Sequence, residues 1–323
     1  MSNYIIRRIA QMLIILFGIS VVSFTIMHLA PGDPVDLLTS RTATPEDKAR
    51  IAATYGLDQP VHVQYWRWVA KAVQGDFGHS FVTGKPVMKM ILERLPNTLL
   101  LNFLAMIIIY ALAVPIGIIS ALRQYSGFDH LVTSFAFLGQ AMPQFWFALL
   151  LIYYVGLQVE WVEIAGKSTY GVTFATASFS AVLMDRARYL ILPLFTMAFG
   201  SMAGITRYMR ASMLEVKSQD YIRTARAKGL SERVVIYKHA LRNALLPIVT
   251  LIGFELPIMF SGAVIIETIF SWPGIGLMGW RAIMQRDYMV VMAFNTLGAT
   301  MTVLGMFLAD MLYVVVDPRI KYD

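Results

Sequence analysis

Six long apolar runs, separated by shorter polar segments, are the main pattern along this chain. They cover approximately residues 9–29, 98–122, 131–156, 189–206, 243–266 and 288–309. Each run is too long for a β-strand and close to the roughly 20 residues with which an α-helix crosses a bilayer. The alternating pattern of a membrane β-barrel is absent. The sequence therefore predicts an all-α integral membrane protein with six transmembrane helices.

The composition favours the same class of protein. Of the 323 residues, 57% are hydrophobic and only 15% are charged, and the mean hydropathy is +0.61. A soluble domain of this size would need more polar surface. The chain has no cysteine, which excludes disulfides, thiolate nucleophiles and cysteine-ligated metals.

The distribution of the net charge of +7 predicts the orientation in the membrane. A basic block joins the fourth and fifth apolar runs, and further positive charges flank other runs, at Arg7, Arg8, Arg123, Arg319 and Lys321. With six spans, all of these charges fall on one side, so both termini are predicted to be cytoplasmic. Because the charges flank apolar runs, we do not expect a nucleic-acid partner.

This topology divides the chain into four parts. Residues 1–30 form a cytoplasmic tip and the first transmembrane helix, which is too long for the apolar core of a cleaved signal peptide. Residues 31–96 form an extracytoplasmic segment with short helices, residues 97–316 the transmembrane core with a cytoplasmic loop at 207–243, and residues 317–323 a cytoplasmic tail. Asn3, Gln124 and Ser231 should then face the cytoplasm, and Thr44 and Thr169 the outside.

Two short helices are predicted in the outer segment. Thr44 and Pro45, followed by two acidic residues, are typical of a helix start, and Gly56 is typical of a helix end. A second helix at residues 61–74 has one face formed by Tyr65, Trp66, Val69 and Val73. This face indicates either a helix at the membrane interface or a docking surface for an external partner.

The basic block at residues 220–247, DYIRTARAKGLSERVVIYKHALRNALLP, has the pattern of two helices. Ser218 or Asp220 is suited to cap a helix that ends at Gly229. A second helix is predicted to start at Ser231 or Glu232, with an apolar face formed by Val234, Tyr237, Leu241 and Leu245. A linker that only fixed the topology would need neither caps nor an apolar face.

Glu255 is an acidic residue near the middle of the fifth apolar run. A carboxyl group in the membrane is costly and usually faces a cavity or a partner. Glu255 either lines a translocation path, to which Pro257 could admit water by loosening the helix, or is a protonated acid bonded to a neighbouring helix. Glu267, at the outer end of the run, is predicted to be a structural residue near the surface.

Motifs for ATP hydrolysis and for metal chemistry are missing. The segment Gly166-Lys167-Ser168-Thr169 looks like the end of a phosphate-binding loop, but Trp161 stands where that loop needs an earlier glycine. The five histidines match no metal-ligand spacing, and neither GxSxG nor HExxH occurs. We therefore expect no catalytic residue, metal site or cofactor in this chain.

The basic block is similar to the cytoplasmic EAA loop of binding-protein-dependent importer permeases of the ATP-binding-cassette class. The pattern of that loop is Glu-Ala-Ala, three residues and glycine, and the corresponding residues here are Arg223, Thr224, Ala225 and Gly229. The glutamate and the first alanine are absent. The sequences RTARAKGL and HALRNALLP nevertheless resemble the dipeptide, oligopeptide and nickel branch of that family.

Other segments carry the same resemblance in the same order along the chain. They are LAPGDP at 29–34, YGLDQP at 55–60, ETIFSWPGIG at 267–276, RDY at 286–288 and DPRI at 317–320. The resemblance therefore covers nearly the full length and implies one permease subunit with the type I importer fold. It implies coupling to ATPases through Asp220, Tyr221, Arg223, Thr224, Ala225, Lys228 and Gly229.

The resemblance also implies partners and a substrate class. The partners would be a second, homologous permease, two cytoplasmic ATPases that bind ATP and magnesium, an extracytoplasmic substrate-binding protein, and lipid of a bacterial or archaeal cell (inner) membrane. The substrates would be di- or oligopeptides, with nickel chelates as the alternative.

Two other classes stay open from the residues alone. A proton-driven secondary transporter could use Glu255 as its proton carrier, but that function would not explain the helical basic block. A membrane-embedded hydrolase would need a second catalytic group to pair with Glu255, and the sequence shows none.

Overall fold

The computed structural model describes residues 2–29, 35, 44–260 and 262–316, and within these ranges it contains helices and loops but no β-strand. The helices of the first half are α1 (Ser2–Leu29), α2 (Pro45–Tyr55), α3 (Val61–Val73), α4 (Val87–Leu122), α5 (Gly127–Ala141) and α6 (Gln144–Leu151). A π-helical turn, Ile152–Gly156, extends α6. They are followed by α7 (Phe179–Lys217), α8 (Asp220–Ala227) and α9, which is α-helical over Glu232–Val234, π-helical over Val235–Ala240 and α-helical over Leu241–Ala244. The last are α10 (Leu246–Ile258), α11 (Val264–Ile269), α12 (Ile275–Gln285) and α13 (Tyr288–Val316). The prediction of an all-α protein is confirmed.

Five helical stretches of the described chain are long and apolar enough to cross a membrane. They are Ile6–Leu29, Val87–Leu122, Phe179–Lys217, Glu232–Glu255 and Tyr288–Phe307. A sixth candidate consists of α5 and the extended α6, which are bent by 103° at the break between them. Residues 30–34 of the LAPGDP segment, and residues 317–323 with DPRI, Arg319 and Lys321, lie outside the described residues.

The third apolar run is not one helix, contrary to the prediction. Helix α5 ends at Ala141, Met142 is extended with φ −84° and ψ 121°, and α6 begins after Pro143. Proline disfavours a helical conformation in the residue before it, which explains the break at Met142. Pro193, in contrast, lies inside α7 without ending it.

Helices α5 and α6 nevertheless extend along about half of the 39-residue helix α7. Asp129 of α5 bonds to Arg210 of α7, and a Cβ placed on Gly156 would lie 3.1 Å from Cδ1 of Leu192. About 18 residues of α7 separate these two contacts, which is about 27 Å at roughly 1.5 Å per residue. The hydrocarbon core of a bilayer is about 30 Å thick, so the bent pair is long enough to act as one crossing.

The fifth apolar run is also interrupted, so the prediction of one helix over residues 243–266 is wrong. Helix α10 ends at Ile258 and α11 begins at Val264. Between them Gly262 has φ +82°, and a Cβ there would lie 2.9 Å from the backbone of Gly276. Only glycine satisfies both the left-handed conformation and this close approach.

The contacts divide the chain into two compact units. One unit consists of Met1–Thr98, Phe260–Val264 and Gly274–Asp323, and the other of Leu99–Met259 and Ile265–Pro273. The core of the first unit is formed by side chains from the start of α4, from α12 and from α13, including Val87, Ile91, Met278, Val290 and Ala293. The predicted division into four parts describes which residues lie on each side of the membrane. The contacts within the chain do not test that division, so it stays a prediction.

The first outer helix, α2, has the predicted ends. The Thr44 hydroxyl accepts a hydrogen bond from the Asp47 N–H, and the Asp47 carboxylate accepts one from the Thr44 N–H. The Thr44 hydroxyl also donates to the Asp47 carboxylate, and this bond, followed by the one from the Thr44 N–H, lowers the pKa of Asp47. At the other end, Gly56 adopts φ 68°, a left-handed conformation that suits glycine.

Helix α3 packs on α1 with only part of the predicted face, because Tyr65 is buried and Val69 packs against the same cluster. Tyr65 and Trp68 are its buried residues, and their rings contact Phe24 of α1. Trp66 and Val73, which were predicted to share the face of Tyr65, are 58% and 83% exposed. The apolar pattern of an amphipathic helix with aromatic residues on two sides does not determine which aromatic side is buried.

Candidate functional site

Helix α8 is held on the chain by a short apolar face. Ile222 and Ala225 are buried and belong to one cluster with Met209 and Met213 of α7. The other members of this cluster are Ala121, Val235, Ala240, Ala244 and Ile248. Residues three apart lie on the same side of a helix, so Ile222 and Ala225 together anchor α8.

The position of Ala225 corrects one expectation. The family resemblance implied that Ala225 is one of the residues that couple to the ATPases, but Ala225 is only 6% exposed and packs inside its own chain. Its small size therefore allows α8 to approach α7 and α9 closely. A partner protein that contacts α8 must use other side chains.

The ends of α8 agree with the prediction at one end only. Gly229 follows the helix with φ +75°, and its N–H donates to the Arg226 carbonyl oxygen at 2.9 Å; glycine favours this conformation. The N-cap is Gln219, which makes no capping hydrogen bond through its side chain. The predicted capping by Ser218 or Asp220 is therefore wrong.

The outer face of α8 is polar and exposed. The side chains of Asp220 and Arg223 are 95% and 73% exposed, and Arg223 Nη1 lies 3.4 Å from Asp220 Oδ1. The Thr224 hydroxyl is also on the surface and donates to the Asp220 carbonyl oxygen at 2.9 Å. Lys228 is exposed as well. A surface ion pair of this kind contributes little to stability, so this face is suited to contacts with another molecule.

Hydrogen bonds tie α8 to α9 across the turn at Gly229. Asn243 Nδ2 donates to Tyr221 Oη at 2.8 Å, and Arg226 Nε donates to Glu232 Oε1 at 2.7 Å. Together with the buried apolar face, these bonds make α8 and α9 one packed body.

The buried face of α9 matches the prediction only in part, because Leu241 and Leu245 pack against the buried cluster. Val235, Ala240 and Ala244 are buried, whereas Val234 and Tyr237 are 37% and 60% exposed. In a π-helix the hydrogen bonds join residues five apart, and the buried positions accordingly lie five residues apart across the π-helical part. The prediction assumed an uninterrupted α-helix.

The packed body continues into the membrane-spanning helices. The Ser212 hydroxyl of α7 donates to the Ala244 carbonyl oxygen at 2.9 Å. Lys217 Nζ, at the end of α7, donates to the Ala121 carbonyl oxygen near the end of α4 at 3.2 Å. The ends of α4 and α7 therefore lie together on the side where α8 is.

An ion pair that the sequence analysis missed joins α5 to α7 near this end. Arg210 donates two hydrogen bonds to Asp129, from Nε to Oδ1 at 2.6 Å and from Nη2 to Oδ2 at 2.7 Å. The Asp129 side chain is 3% exposed and also accepts hydrogen bonds from the Ser120 hydroxyl and the Tyr125 N–H. The group links α4, the α4–α5 turn, α5 and α7.

The structure places the two acidic residues of the fifth run in different surroundings. Glu255 is half-buried in α10, and the hydroxyl group of Tyr110, on α4, lies in its neighbourhood. That hydroxyl is buried and has no hydrogen-bond partner within the described part of the chain. Glu267, predicted to be a structural residue near the surface, is fully buried, so the predicted surface position is wrong and the structural role stays a prediction.

The segment that looked like a phosphate loop makes structural contacts. The Gly166 N–H donates to the Phe270 carbonyl oxygen, the Thr169 N–H bonds to the Asp185 carboxylate, and the Lys167 carbonyl oxygen accepts from Arg186. Burial and then the charge of Arg186 lower the pKa of Lys167. Among the described residues, no group of three or more histidine or acidic side chains could hold a metal ion.

The chain combines long apolar helices with a short helix, α8, that is anchored by its buried face and exposes a charged face. This combination is expected of a membrane transport component. The chain belongs to the family of binding-protein-dependent transport system inner membrane components. The model of that family matches residues 113–322. The model of the N-terminal part of such membrane components matches residues 1–102.

Relatives of the same length support this assignment. The chain is 45% identical to an oligopeptide transport system permease protein, AppB, from Bacillus subtilis, over 100% of both chains. It is 37% identical to a dipeptide transport system permease protein, DppB, from Escherichia coli K12, over 100% of this chain and 99% of that protein. An inward-facing structure of the MetNI methionine ABC transporter matches with a TM-score of 0.53 at 15% identity, covering 71% of this chain and 97% of that chain. This structural match supports the fold alone.

Proposed function

We propose that this chain is the permease subunit of an ATP-driven importer that moves di- or oligopeptides across the inner (cytoplasmic) membrane, with α8 as its contact to ATPase subunits. The two full-length relatives, both named for peptide transport, support the substrate class over a nickel chelate. The observation that carries the coupling role is the division of α8 into two faces. Ile222 and Ala225 fix the helix from inside, and Asp220, Arg223 and Thr224 face outward.

The proposed complex has four further subunits. A second, homologous permease completes the translocation path, two ATPases bind ATP and magnesium, and an extracytoplasmic protein delivers the peptide. Closure of the ATPases on ATP would push α8, and the cluster around Ile222 would pass this movement to α7 and α4. Packed helices of this kind move as rigid bodies between alternative arrangements.

The proposed orientation is cytoplasmic for both termini and for α8. It is supported by the positive charges near α8 and by Arg7 and Arg8 at the start of α1. Both termini lie on the same side only if the number of crossings is even. Six crossings require that α5 and α6 together form one crossing, and the distance that they cover along α7 favours that count.

Glu255 is proposed to line the translocation path. A half-buried carboxyl group in a membrane helix, beside a buried hydroxyl that lacks a partner, is suited to meet the amino group of a passing peptide. A proton-driven transporter would use the same carboxyl group, but it would have no use for an anchored α8.

Uptake by proteoliposomes that contain the purified complex tests the function. We expect accumulation of labelled di- and oligopeptides that depends on internal ATP and on the binding protein, and that a nickel chelate does not compete. A complex with an ATPase subunit unable to hydrolyse ATP is the control. Uptake that follows a proton gradient without ATP would refute the proposal.

A further inference from the structure

A cavity of about 530 Å³ lies in the first unit, at the ends of two membrane-spanning helices. Phe24 and Met27, near the end of α1, and Met289 and Met292, near the start of α13, form its apolar part. Both helices qualify as membrane spans, and Arg7 and Arg8 lie at the opposite end of α1. The cavity is therefore at a membrane boundary, at the end of α1 remote from the basic N-terminus.

Two positive side chains of α3 line the same cavity. Arg67 and Lys71 are four residues apart, so they project from one face of the helix. Neither side chain takes part in a hydrogen bond or ion pair with another described residue. One carboxylate, that of Asp76, also lines the cavity, and its Oδ1 accepts a hydrogen bond from the Gly78 N–H at 2.8 Å. Among the described residues, the lining has a net positive charge.

We propose that this cavity binds the headgroup of an anionic phospholipid. The phosphate and the anionic headgroup would lie at Arg67 and Lys71, and the first part of the acyl chains beside Met27 at the end of α1. Helix α1 also leaves Val22 and Ile26 exposed, at 56% and 61%, so apolar side chains close to this end of α1 are accessible to acyl chains. Basic residues at a membrane surface attract anionic lipids in this way.

Native mass spectrometry of the complex released from nanodiscs tests the lipid. The nanodiscs would contain phosphatidylglycerol and phosphatidylcholine, and the readout is the lipid retained on this subunit. We expect selective retention of phosphatidylglycerol by the wild type. The double variant Arg67→Gln with Lys71→Gln should reduce its affinity roughly thirtyfold, because each basic side chain near the membrane surface contributes about fivefold.

Two further variants make the test specific. Lys85→Gln removes an exposed positive charge from the same outer segment without touching the cavity, and it should leave retention unchanged. Arg67→Lys with Lys71→Arg keeps both charges, so it should assemble normally and restore most of the retention.

Several outcomes would overturn the proposal. Equal retention of phosphatidylcholine would show that the cavity does not select an anion, and equal loss in the Lys85→Gln variant would show a non-specific charge effect. Displacement by soluble glycerol phosphate would assign the site to a free phosphate compound. Displacement by the substrate-binding protein would assign it to a protein partner.

Discussion

The Asp129–Arg210 ion pair is a single contact that holds several helices together. The carboxylate is almost fully buried and accepts hydrogen bonds from Arg210, Ser120 and the Tyr125 N–H. A buried carboxylate without its cation is unfavourable, because the charge loses water without gaining a partner. The pair therefore holds α5 against α7 close to the end that carries α8.

We predict that Arg210→Ala destabilises the protein by about 3 kcal/mol, the usual cost of removing one partner of a buried ion pair. The measurement is the apparent unfolding temperature of the detergent-solubilised subunit. Arg207→Ala, which removes an exposed arginine from the same helix, is the matched control and should have little effect. Asp129→Asn combined with Arg210→Gln should recover part of the loss. Equal stability of the Arg210→Ala and Arg207→Ala variants would contradict a bracing role.

At Glu255 we predict that replacement by glutamine lowers peptide uptake without lowering the yield of the complex. The reason is that a path-lining carboxylate contributes its charge to the substrate, whereas a structural acid contributes hydrogen bonds that glutamine can largely keep. Uptake and complex yield are measured together for Glu255→Gln and Glu255→Leu, with Glu160→Gln, on an exposed loop, as control.

The leucine variant separates the two roles of Glu255. A structural acid would leave its bonding partner unsatisfied, which costs about 1–3 kcal/mol and reduces the yield. A path-lining acid should lose uptake and keep the yield. Normal uptake in both variants would remove Glu255 from the path.

Among the elements, the sequence predicts those whose pattern is local. The apolar runs identify the membrane helices, Thr44 and Gly56 bound α2, and Gly229 marks the end of α8, because caps and left-handed glycines act within a few residues. Arg223 and Thr224 fall on the exposed face of a helix that was expected from sequence.

Other elements depend on contacts that a single sequence does not show. The π-helical part of α9 shifts its buried face, and nothing in the local residue pattern distinguishes a π-helix from an α-helix there. Asp129 and Arg210 are 81 residues apart, so their pairing follows from the packing of α5 on α7. Pro143 follows the break at Met142, whereas Pro193 is buried inside α7 without ending it, so a proline in the sequence does not by itself show where a helix breaks.

The element most in need of a topological test is the bent pair of α5 and α6. If the pair crosses the membrane, Gln124 and Ser231 lie on the cytoplasmic side and Tyr170 on the outer side. We predict that an impermeant maleimide labels the Tyr170→Cys variant in intact cells and labels the Gln124→Cys and Ser231→Cys variants only after permeabilisation. The chain has no cysteine of its own, so the background is clean. Labelling of the Ser231→Cys variant from outside would show that the pair re-enters on one side.

For the whole molecule, the central claim is that ATPase subunits act on this chain through the outer face of α8. The fold supplies the route: Ile222 packs into the cluster of α4, α7, α9 and α10, and Lys217 bonds to the end of α4. A force on α8 would therefore reach two membrane-spanning helices without passing through a flexible loop.

Cysteine cross-linking in the assembled complex tests this claim most directly. We predict that the Arg223→Cys variant, with its exposed position, forms a short cross-link to an ATP-binding-cassette ATPase identified by mass spectrometry, while peptide uptake by the unreacted complex is retained. The Ala225→Cys variant, two residues away on the buried face, should not react, and neither should Tyr170→Cys. A complex that contains the ATPases but gives no cross-link from position 223, or gives one from position 170, would contradict the account.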